Sequence, residues 1–345
     1  MKIIYAVCGE GMGHAVRALP IIDFLQQTHK LTVLAGDKAF PFLKKHCKNV
    51  QQIKGLRIVY KNNKASSIGS VIHNLFHLPE HVASVCRVIA VMKKTSPQIV
   101  ISDFEHLSSW AAWFLKIPLV SFTNQFMLTK TKSQIPPGKK ISSLKTKLVM
   151  KLLSPFVTEY LVTSFFTAPV LAKNVHVIGP VLRQEIMSAR PTTRKHILVY
   201  QTSDSNTKLW ELLPLLSQKF VIYGQGERTL GKNCVCKPFS DAEFLHDLIN
   251  CKAVITNGGF SLISEAIFLK KPVFSIPVQG QFEQEFNAFH VQRCGFGMCV
   301  EEFNEKSWWD FMTEIKWFEK HLKNAEQLPH WKKSLTTLLK KIQIA

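Results

Sequence analysis

A glycine-rich segment containing a histidine follows the first apolar run of the chain. It reads CGEGMGHA, from Cys8 to Ala15, and precedes a stretch with helical periodicity. Its glycines, including Gly11 and Gly13, allow backbone N–H groups to approach a ligand, and a helix N-terminus favours anions. His14 stands where a dinucleotide fingerprint has its third glycine, so the segment is only a weak NAD signal. An imidazole here is a candidate general base; the alternative is a histidine that caps the loop.

An acidic cluster follows a later apolar run. It reads ISDFEH and begins at Ile101. Asp103 is a candidate to orient His14 and to stabilise its protonated form, as in hydrolytic triads. The alternative is that Ser102 or Asp103 is the N-cap of a helix that begins near Leu107. The cluster lacks the further ligands of a metal site, so we expect no metal.

A Gly-Gly turn before a helix is the most specific pattern of the C-terminal half. It reads NGGFSLISEA and begins at Asn257. Gly258 and Gly259 expose N–H groups, Ser261 opens the helix, and Glu265 lies one turn beyond Ser261. A diphosphate would bind the turn and the helix N-terminus, with the carboxylate reaching a ribose hydroxyl. The alternative is an ordinary tight turn, with Glu265 at a solvated helix position.

A second polar segment follows about 20 residues later. It reads PVQGQFEQEFNA and begins at Pro277. Its Glu283, Gln284 and Asn287 supply carboxylate and amide groups suited to sugar hydroxyls. The alternative is an ordinary polar helix start.

Short apolar runs alternate with longer amphipathic stretches, which is typical of parallel sheets covered on both faces. In the first part the pattern predicts strands at residues 3–7, 31–34, 99–101 and 119–122, and helices at 16–28, 70–93 and 107–114. It then predicts strands at 196–200, 220–223, 253–256 and 273–276, and helices at 208–218, 241–250 and 262–268.

This repetition predicts an α/β protein of two Rossmann-like parallel-sheet domains facing a central cleft. We place the domains at residues 1–180 and 181–325, followed by a helical tail at 326–345. Ligands of such sheets bind outside the carboxyl ends of the strands, where the four polar segments fall.

Basic residues are concentrated in the N-terminal part. The 345 residues include 44 Lys plus Arg and 24 Asp plus Glu, a net charge of +20, and the 46% hydrophobic content excludes a disordered chain. Residues 1–180 carry 23 basic and 7 acidic residues, or +16, and the remainder carries 21 and 17, or +4. Such a field attracts a polyanion or an anionic bilayer; the alternative is that the lysines serve only solubility.

Residues 139–157 form a basic amphipathic pattern. Its lysines interleave with apolar residues and are Lys139, Lys140, Lys145, Lys147 and Lys151. Such a helix can lie in an anionic bilayer interface; the alternative is a surface helix whose apolar side packs on its own domain. The absence of a spanning run, of a signal segment and of CxxC pairs leads us to expect a cytoplasmic protein, peripheral on the inner face of the membrane.

The segments NGGFSLISEA, KPVFSIPVQGQFEQEFNA and GEGMGHAVRA together resemble GT-B glycosyltransferases. The resemblance covers most of the chain. It is to uncharacterised bacterial and archaeal members related to the N-acetylglucosaminyltransferase that completes the peptidoglycan lipid intermediate, and to UDP-glycosyltransferases. It implies inverting transfer of a sugar from a UDP-sugar to a hydroxyl of a lipid-linked or cell-envelope glycan, with no cofactor. Since no DxD motif occurs, we expect no metal requirement.

The resemblance also implies residue roles. Asn257, Gly258, Gly259, Phe260 and Ser261 would contact the diphosphate and sugar. Glu265 would hold the ribose, and Glu283 with Gln284 the donor sugar or ribose.

Further donor contacts are implied by three other segments. Arg183, in VIGPVLR, would bind phosphate, and Phe239 with Ser240, in KPFS, would line the base pocket. Thr202, in QTS, matches a phosphate-side loop without its glycine-rich form. His14 would then be the base for the acceptor hydroxyl, with Asp103 as its rival.

Two other functions compete with transfer. One is a nucleotide-sugar epimerase of the same fold, which would turn over its donor without an acceptor. The other is a basic nucleic-acid-binding protein, which the net charge permits. The lysines near Pro136 lack the aromatic stacking platforms of such proteins, so no nucleic-acid partner is expected.

Overall fold

Two compact units make up the computed structural model of the chain. One comprises Met1–Tyr60, Ala65–Arg183 and Gln327–Ala345, and the other Lys61–Lys64 and Gln184–Glu326. The structure describes residues 1–9, 12–55, 60–61, 64–65, 67–192, 195–201, 206–226 and 228–344.

The first unit is built on a parallel sheet. The first nine strands of the described chain are β1 (Lys2–Val7), β2 (Lys30–Gly36), β3 (Val50–Ile53), β4 (Tyr60–Lys61), β5 (Lys64–Ala65), β6 (Ile99–Asp103), β7 (Leu119–Phe122), β8 (Glu159–Thr163) and β9 (Val175–Ile178). Seven of these described strands form one sheet in the order β3-β2-β1-β6-β7-β8-β9, and β4 pairs with β5. Val7 pairs with Asp103, so the loops after β1 and β6 begin side by side.

Helices connect these strands. They are α1 (Met12–Gln26), α2 (Ala39–His46), α3 (Ser67–Phe76), α4 (Leu78–Thr95), α5 (His106–Phe114), α6 (Met127–Lys130) and α7 (Lys140–Leu153). Residues 70–93 do not form the single predicted helix. The chain is interrupted at His77, and Pro79 lies in the first turn of α4, where its missing N–H costs no helical hydrogen bond.

The second unit repeats the plan. Its strands are β10 (His196–Tyr200), β11 (Lys219–Tyr223), β12 (Cys234–Cys236), β13 (Ala253–Thr256), β14 (Val273–Ser275) and β15 (Gly297–Cys299). They form a parallel sheet in the order β12-β11-β10-β13-β14-β15. Tyr200 pairs with Thr256, and Thr256 with Ser275, so the loops after β10, β13 and β14 start next to one another.

The remaining helices complete both units. They are α8 (Gln184–Met187), α9 (Thr207–Leu212), α10 (Asp241–Asn250), α11 (Phe260–Phe268), α12 (Phe282–Arg293), α13 (Glu305–Thr313), α14 (Ile315–Lys323) and α15 (Trp331–Ile344). The helix predicted at 208–218 ends early, because the chain tightens into a 3₁₀ turn around Pro214.

Each unit has its own apolar core. In the first unit, Ile3, Val7 and Ile101 of the sheet pack in one cluster with Trp331 and Leu335 of α15. The C-terminal helix therefore belongs to the first unit. In the second unit, Phe274, Phe303, Trp308 and Phe311 are fully buried. No helix of the described residues is long and apolar enough to cross a membrane.

Candidate functional site

The loop after β1 runs close to the end of β2. A Cβ atom at Gly9 would lie 2.5 Å from the carbonyl carbon of Gly36, so only glycine fits this approach. Gly13 and His14 lie in the first turn of α1, because the helix begins at Met12, four residues before the predicted start. Gly11 lies outside the described residues.

His14 meets the end of β6. Its Nδ1 atom lies 2.9 Å from Oδ1 of Asp103, and the side-chain exposures are 14% and 0%. The pairing of Val7 with Asp103 produces this contact, because it sets the loop that leads into α1 beside the last residue of β6. The structure thus brings together the two residues predicted as base and orienting acid.

Arg17, one turn after His14 on α1, is the third member of this cluster and is 6% exposed. Its Nε donates to Oδ2 of Asp103 at 2.9 Å, and its Nη2 donates to Oδ1. Its remaining donors reach Asn124 Oδ1 at 3.0 Å and Thr123 Oγ1 at 3.2 Å, after β7. Nη2 of Arg17 also lies 2.9 Å from His14 Nδ1, three residues away, whereas its other side-chain partners lie 86 to 107 residues along the chain.

The charge of Arg17 determines the ionisation of Asp103. Burial opposes ionisation of Asp103, but the Arg17 guanidinium and His14 outweigh it and lower the pKa of the carboxyl to about 2. An ionised carboxylate only accepts hydrogen bonds and a guanidinium only donates them. His14 Nδ1 lies 2.9 Å from both Asp103 Oδ1 and Arg17 Nη2, so its tautomer decides which of the two it bonds. In the tautomer that donates from Nδ1 to Asp103, Nε2 is the ring atom that can accept a proton. A carboxyl with so low a pKa is a poor base, which favours His14 over Asp103 in that role.

Neither Ser102 nor Asp103 caps α5, contrary to the alternative considered from sequence. The N-cap is Glu105, whose carboxylate accepts from the backbone N–H groups of Leu107 and Ser108 at 3.0 and 2.7 Å. Asp103 still belongs to β6, and Phe104 makes the turn with a φ of 54°. Asp103 is therefore left to pair with Arg17 and His14.

In the second unit, the Gly-Gly turn lies at the carboxyl end of β13. Gly258 has a φ of +96°, and a Cβ there would lie 2.7 Å from the carbonyl oxygen of Gln284. Asn287 Nδ2 donates to the Gly258 carbonyl at 3.1 Å. Asn257 donates to Gln201, which follows β10. These contacts bring the two polar segments predicted from sequence together around one turn.

The start of α11 is open on one side. Gly259 is exposed, and a Cβ built there would meet no atom within 4 Å. Phe260 and Glu265 are buried, at 7% and 5% exposure, and Ser261 is half-buried. Glu265 is therefore not at a solvated helix position. The N–H groups at this helix start can donate hydrogen bonds to an anion that approaches from the open side.

The loop after β14 is held by the first turn of α12. Gln284 Oε1 accepts from the Val278 N–H at 3.0 Å, and Glu285 Oε1 accepts from the Gly280 N–H at 3.3 Å. Because the Gln284 oxygen is used, its amide NH₂ is the group it can offer to a ligand. Glu283 lies half-buried in the same turn.

Phe239 lies with its ring 57% exposed beside three other aromatic rings. Its centroid is 6.3 Å from Tyr200, 6.5 Å from Tyr223 and 5.6 Å from Phe244. Such a supported but exposed ring is suited to stack on a planar ligand. Ser240, next in the chain, is the N-cap residue of α10.

A polar network supports this aromatic cluster from β11 and α10. Tyr223 donates its hydroxyl to Asp247 at 2.7 Å, and Lys237 donates to the same oxygen at 2.8 Å. Burial opposes ionisation of Asp247, but the hydrogen bonds from Lys237 and Tyr223 lower its pKa. The network therefore keeps Asp247 ionised and Tyr223 fixed.

Gln201 belongs to the QTS segment that was predicted to form a phosphate-side loop, and its surroundings make it a further binding candidate. It is fully buried after β10, and its Nε2 has no hydrogen-bond partner among the described residues. A buried donor without a partner is costly unless a ligand satisfies it. Its neighbour Thr202 lies outside the described residues, and Arg183 is half-buried where the chain leaves the first unit. In the described part of the chain, no group of three His, Cys, Asp or Glu side chains is placed to hold a metal.

A protein-family comparison identifies the chain's relatives. Residues 1–316 match the family model described as glycosyl transferase family 1. An uncharacterized glycosyltransferase of Methanosarcina acetivorans is 25% identical over 339 residues, covering 87% of this chain and 86% of the relative.

Solved structures share the fold. Spinosyn rhamnosyltransferase SpnG complexed with thymidine diphosphate matches with a TM-score of 0.67 and 13% identity, over 98% of this chain and 100% of that one. MurG of Acinetobacter baumannii matches with a TM-score of 0.63 and 16% identity, over 99% of both chains. The predicted fold of two Rossmann-like parallel-sheet domains is confirmed, as is the predicted resemblance to GT-B glycosyltransferases.

Proposed function

Because this chain belongs to glycosyl transferase family 1, we propose that it transfers a sugar, with inversion, from a UDP-sugar to a hydroxyl group of a lipid-linked or cell-envelope glycan. One observation carries the proposal most directly. His14 Nδ1 lies 2.9 Å from a buried Asp103 whose pKa is lowered to about 2, and the tautomer in which Nδ1 donates to this carboxylate has Nε2 as its proton acceptor. A glycosyltransferase needs such a base to activate its acceptor.

The reaction is a substitution at the anomeric carbon. His14 Nε2 takes the proton of the acceptor hydroxyl as its oxygen attacks the anomeric carbon. The bond from that carbon to the donor diphosphate breaks, and the nucleoside diphosphate leaves with the electron pair. Attack opposite the leaving group inverts the configuration. Asp103 stabilises the imidazolium that forms, since its charge is fixed beside Nδ1.

The donor is assigned to the second unit. The open side of Gly259 and the start of α11 suit a diphosphate, and the buried carboxylate of Glu265 suits ribose hydroxyls. Phe239 offers a face for the base, with Ser240 beside it. Glu283 and the Gln284 amide supply sugar contacts. The N–H groups, the helix dipole and Arg183 would stabilise the leaving diphosphate without a metal ion.

The acceptor class is inferred from the charge of the first unit. Lys140, Lys145, Lys147 and Lys151 of α7 are exposed, and Lys139 before it is half-buried. An anionic membrane surface would attract this helix, and such an attraction would bring a cytoplasmic, peripheral enzyme to the inner leaflet and to a lipid-linked acceptor.

A panel of nucleoside diphosphates tests the donor. A ligand at about 100 times its dissociation constant should add roughly 2.7 kcal/mol of stability, visible as a thermal shift. We expect UDP to exceed GDP and TDP. No stabilisation by any of the three would contradict the donor site. Incubation with UDP-sugars alone distinguishes sugar transfer from the epimerase alternative, since an epimerase would convert its donor without an acceptor.

A further inference from the structure

Two neighbouring helices of the first unit expose a continuous apolar surface. We name it the α5–α7 surface. Its side chains are exposed by 39% at Trp110 to 72% at Ile141. The members are Trp110, Trp113 and Phe114 of α5, Ile141, Leu144, Leu148 and Leu152 of α7, and Phe156 just after it.

The surface continues from one helix to the other through direct contacts. Trp110 Nε1 donates to the Leu152 carbonyl at 3.1 Å. The Trp113 and Phe156 rings stack with centroids 4.9 Å apart and planes 11° apart. Beside these rings lies a groove of about 450 Å³, whose walls are Trp113, Phe114, Lys116, Ile117, Pro118, Phe156 and Thr158. The groove is large enough for hydrocarbon and is largely apolar.

The exposed face of α7 is not required for packing in its own unit. The buried residues of the helix are Ser143 and Met150. With about 3.6 residues per turn, they lie on the side opposite the apolar stripe. The alternative from sequence, in which the apolar side of this helix packs on its own domain, does not agree with the structure, because that side is the exposed one.

Lysines border the apolar stripe on both sides. On the helical wheel Lys140, Lys147 and Lys151 flank one edge and Lys145 the other, and all four are exposed. Exposed Lys116 adds a charge at the groove. The sequence has no acidic residue between Glu105 and Glu159 to oppose them. Apolar residues between cations match a bilayer with anionic headgroups above hydrocarbon.

We propose that the α5–α7 surface inserts into an anionic phospholipid bilayer, with acyl chains entering the groove beside Trp113 and Phe156. This rests on the membrane contact in the proposed function but goes beyond it. Lysines alone would hold the protein at the headgroups, whereas the aromatic groove requires penetration to the acyl boundary. The tryptophans and phenylalanines therefore set the depth of insertion into the bilayer, and the lysines select anionic lipid.

Native tryptophan fluorescence tests insertion in the full chain. Vesicles of equal parts phosphatidylcholine and phosphatidylglycerol, with acyl chains brominated near the headgroup, should quench the wild type. Trp110→Phe/Trp113→Phe should remove most of the quenching while binding persists. Trp309→Phe/Trp317→Phe is the matched control, since these rings are 47% and 48% exposed on the second unit, and it should leave the quenching unchanged.

A second pair of variants separates insertion from charge. Trp113→Ala/Phe156→Ala should weaken partitioning about tenfold or more and should make the remaining binding salt-sensitive. Lys145→Glu/Lys147→Glu/Lys151→Glu should abolish binding to the anionic vesicles. Thermal unfolding checks that each variant is folded.

Three results would overturn the inference. One is wild-type binding without quenching, which would leave the lysine contact and the proposed transfer intact. Another is quenching that survives in Trp110→Phe/Trp113→Phe. The last is a dimer, detected by sedimentation and abolished by Trp113→Ala/Phe156→Ala, without lipid quenching, which would assign the surface to a second copy of the chain.

Discussion

Replacing Asp103 with Asn would remove the negative charge that Arg17 and His14 share. The variant keeps the shape of the side chain, but the guanidinium of Arg17 stays buried at 6% exposure with its ionic partner gone. Breaking a buried ion pair in this way costs about 3–5 kcal/mol. We therefore expect the free energy of unfolding to fall by about 3 kcal/mol at about pH 7.

The pH dependence follows from the pKa of Asp103. The pKa falls from an ordinary 3.8 to about 2 in the folded chain. This shift corresponds to about 2 kcal/mol of stability, present above pH ~4 and lost as the pH falls towards ~2. Since the amide of the Asp103→Asn variant does not titrate, the difference between wild type and variant should shrink over that window, by about 1 kcal/mol at pH ~3.

Urea unfolding followed by circular dichroism measures both effects. Asp23→Asn is the matched control, since Asp23 is exposed on the same helix as Arg17, and it should change stability by less than about 0.5 kcal/mol. Arg17→Gln/Asp103→Asn should be less destabilised than the sum of its single variants. A loss below about 1 kcal/mol in Asp103→Asn, or one independent of pH, would refute the assigned ion pair.

Three further outcomes are expected. Gly258→Ala should lower the free energy of unfolding by about 1–3 kcal/mol, measured by thermal unfolding, and should weaken donor binding. Gly280→Ala is the control, since a Cβ at Gly280 would meet no atom within 4 Å and only the positive φ opposes it; equal effects of the two changes would contradict the close approach of Gly258 to Gln284. Phe239→Ala should weaken nucleotide binding by about 1–3 kcal/mol, measured by calorimetry. Val235→Ala is the control, since Val235 is similarly exposed; an unchanged affinity in Phe239→Ala would show that Phe239 does not contact the base. His14→Ala should lower kcat by about 10²–10⁴-fold with an unchanged donor Kd, and a wild-type rate would exclude His14 as the base.

Most central strands could be predicted from the sequence, whereas the edge strands and the central, fully buried strand β8 were missed. β7, β10 and β13 have the predicted bounds, because each is a continuous apolar run buried between neighbouring strands. β3, β9, β12 and β15 lie at the sheet edges and are only three or four residues long. An edge strand is covered less completely, so its sequence carries less of the apolar pattern.

The residues of the candidate site were likewise predicted only where their neighbours in the sequence carry a signal. Local patterns identified His14 and Gly258, because a glycine turn at the end of a strand leaves a signal in neighbouring residues. Arg17 lies in the segment GEGMGHAVRA, but its role was not predicted, since its buried partners Asp103 and Asn124 lie far along the chain. Glu105 was missed as the cap because the turn at Phe104 delays the helix by two residues beyond β6.

Transfer of labelled sugar tests the central claim most directly. The full chain would be incubated with UDP-sugars labelled in the sugar, together with lipid-linked glycan acceptors in anionic vesicles. We expect label in the lipid product, with inverted anomeric configuration, and its loss in His14→Ala, which should still bind UDP. Retained configuration, or equal transfer by His14→Ala, would contradict the account.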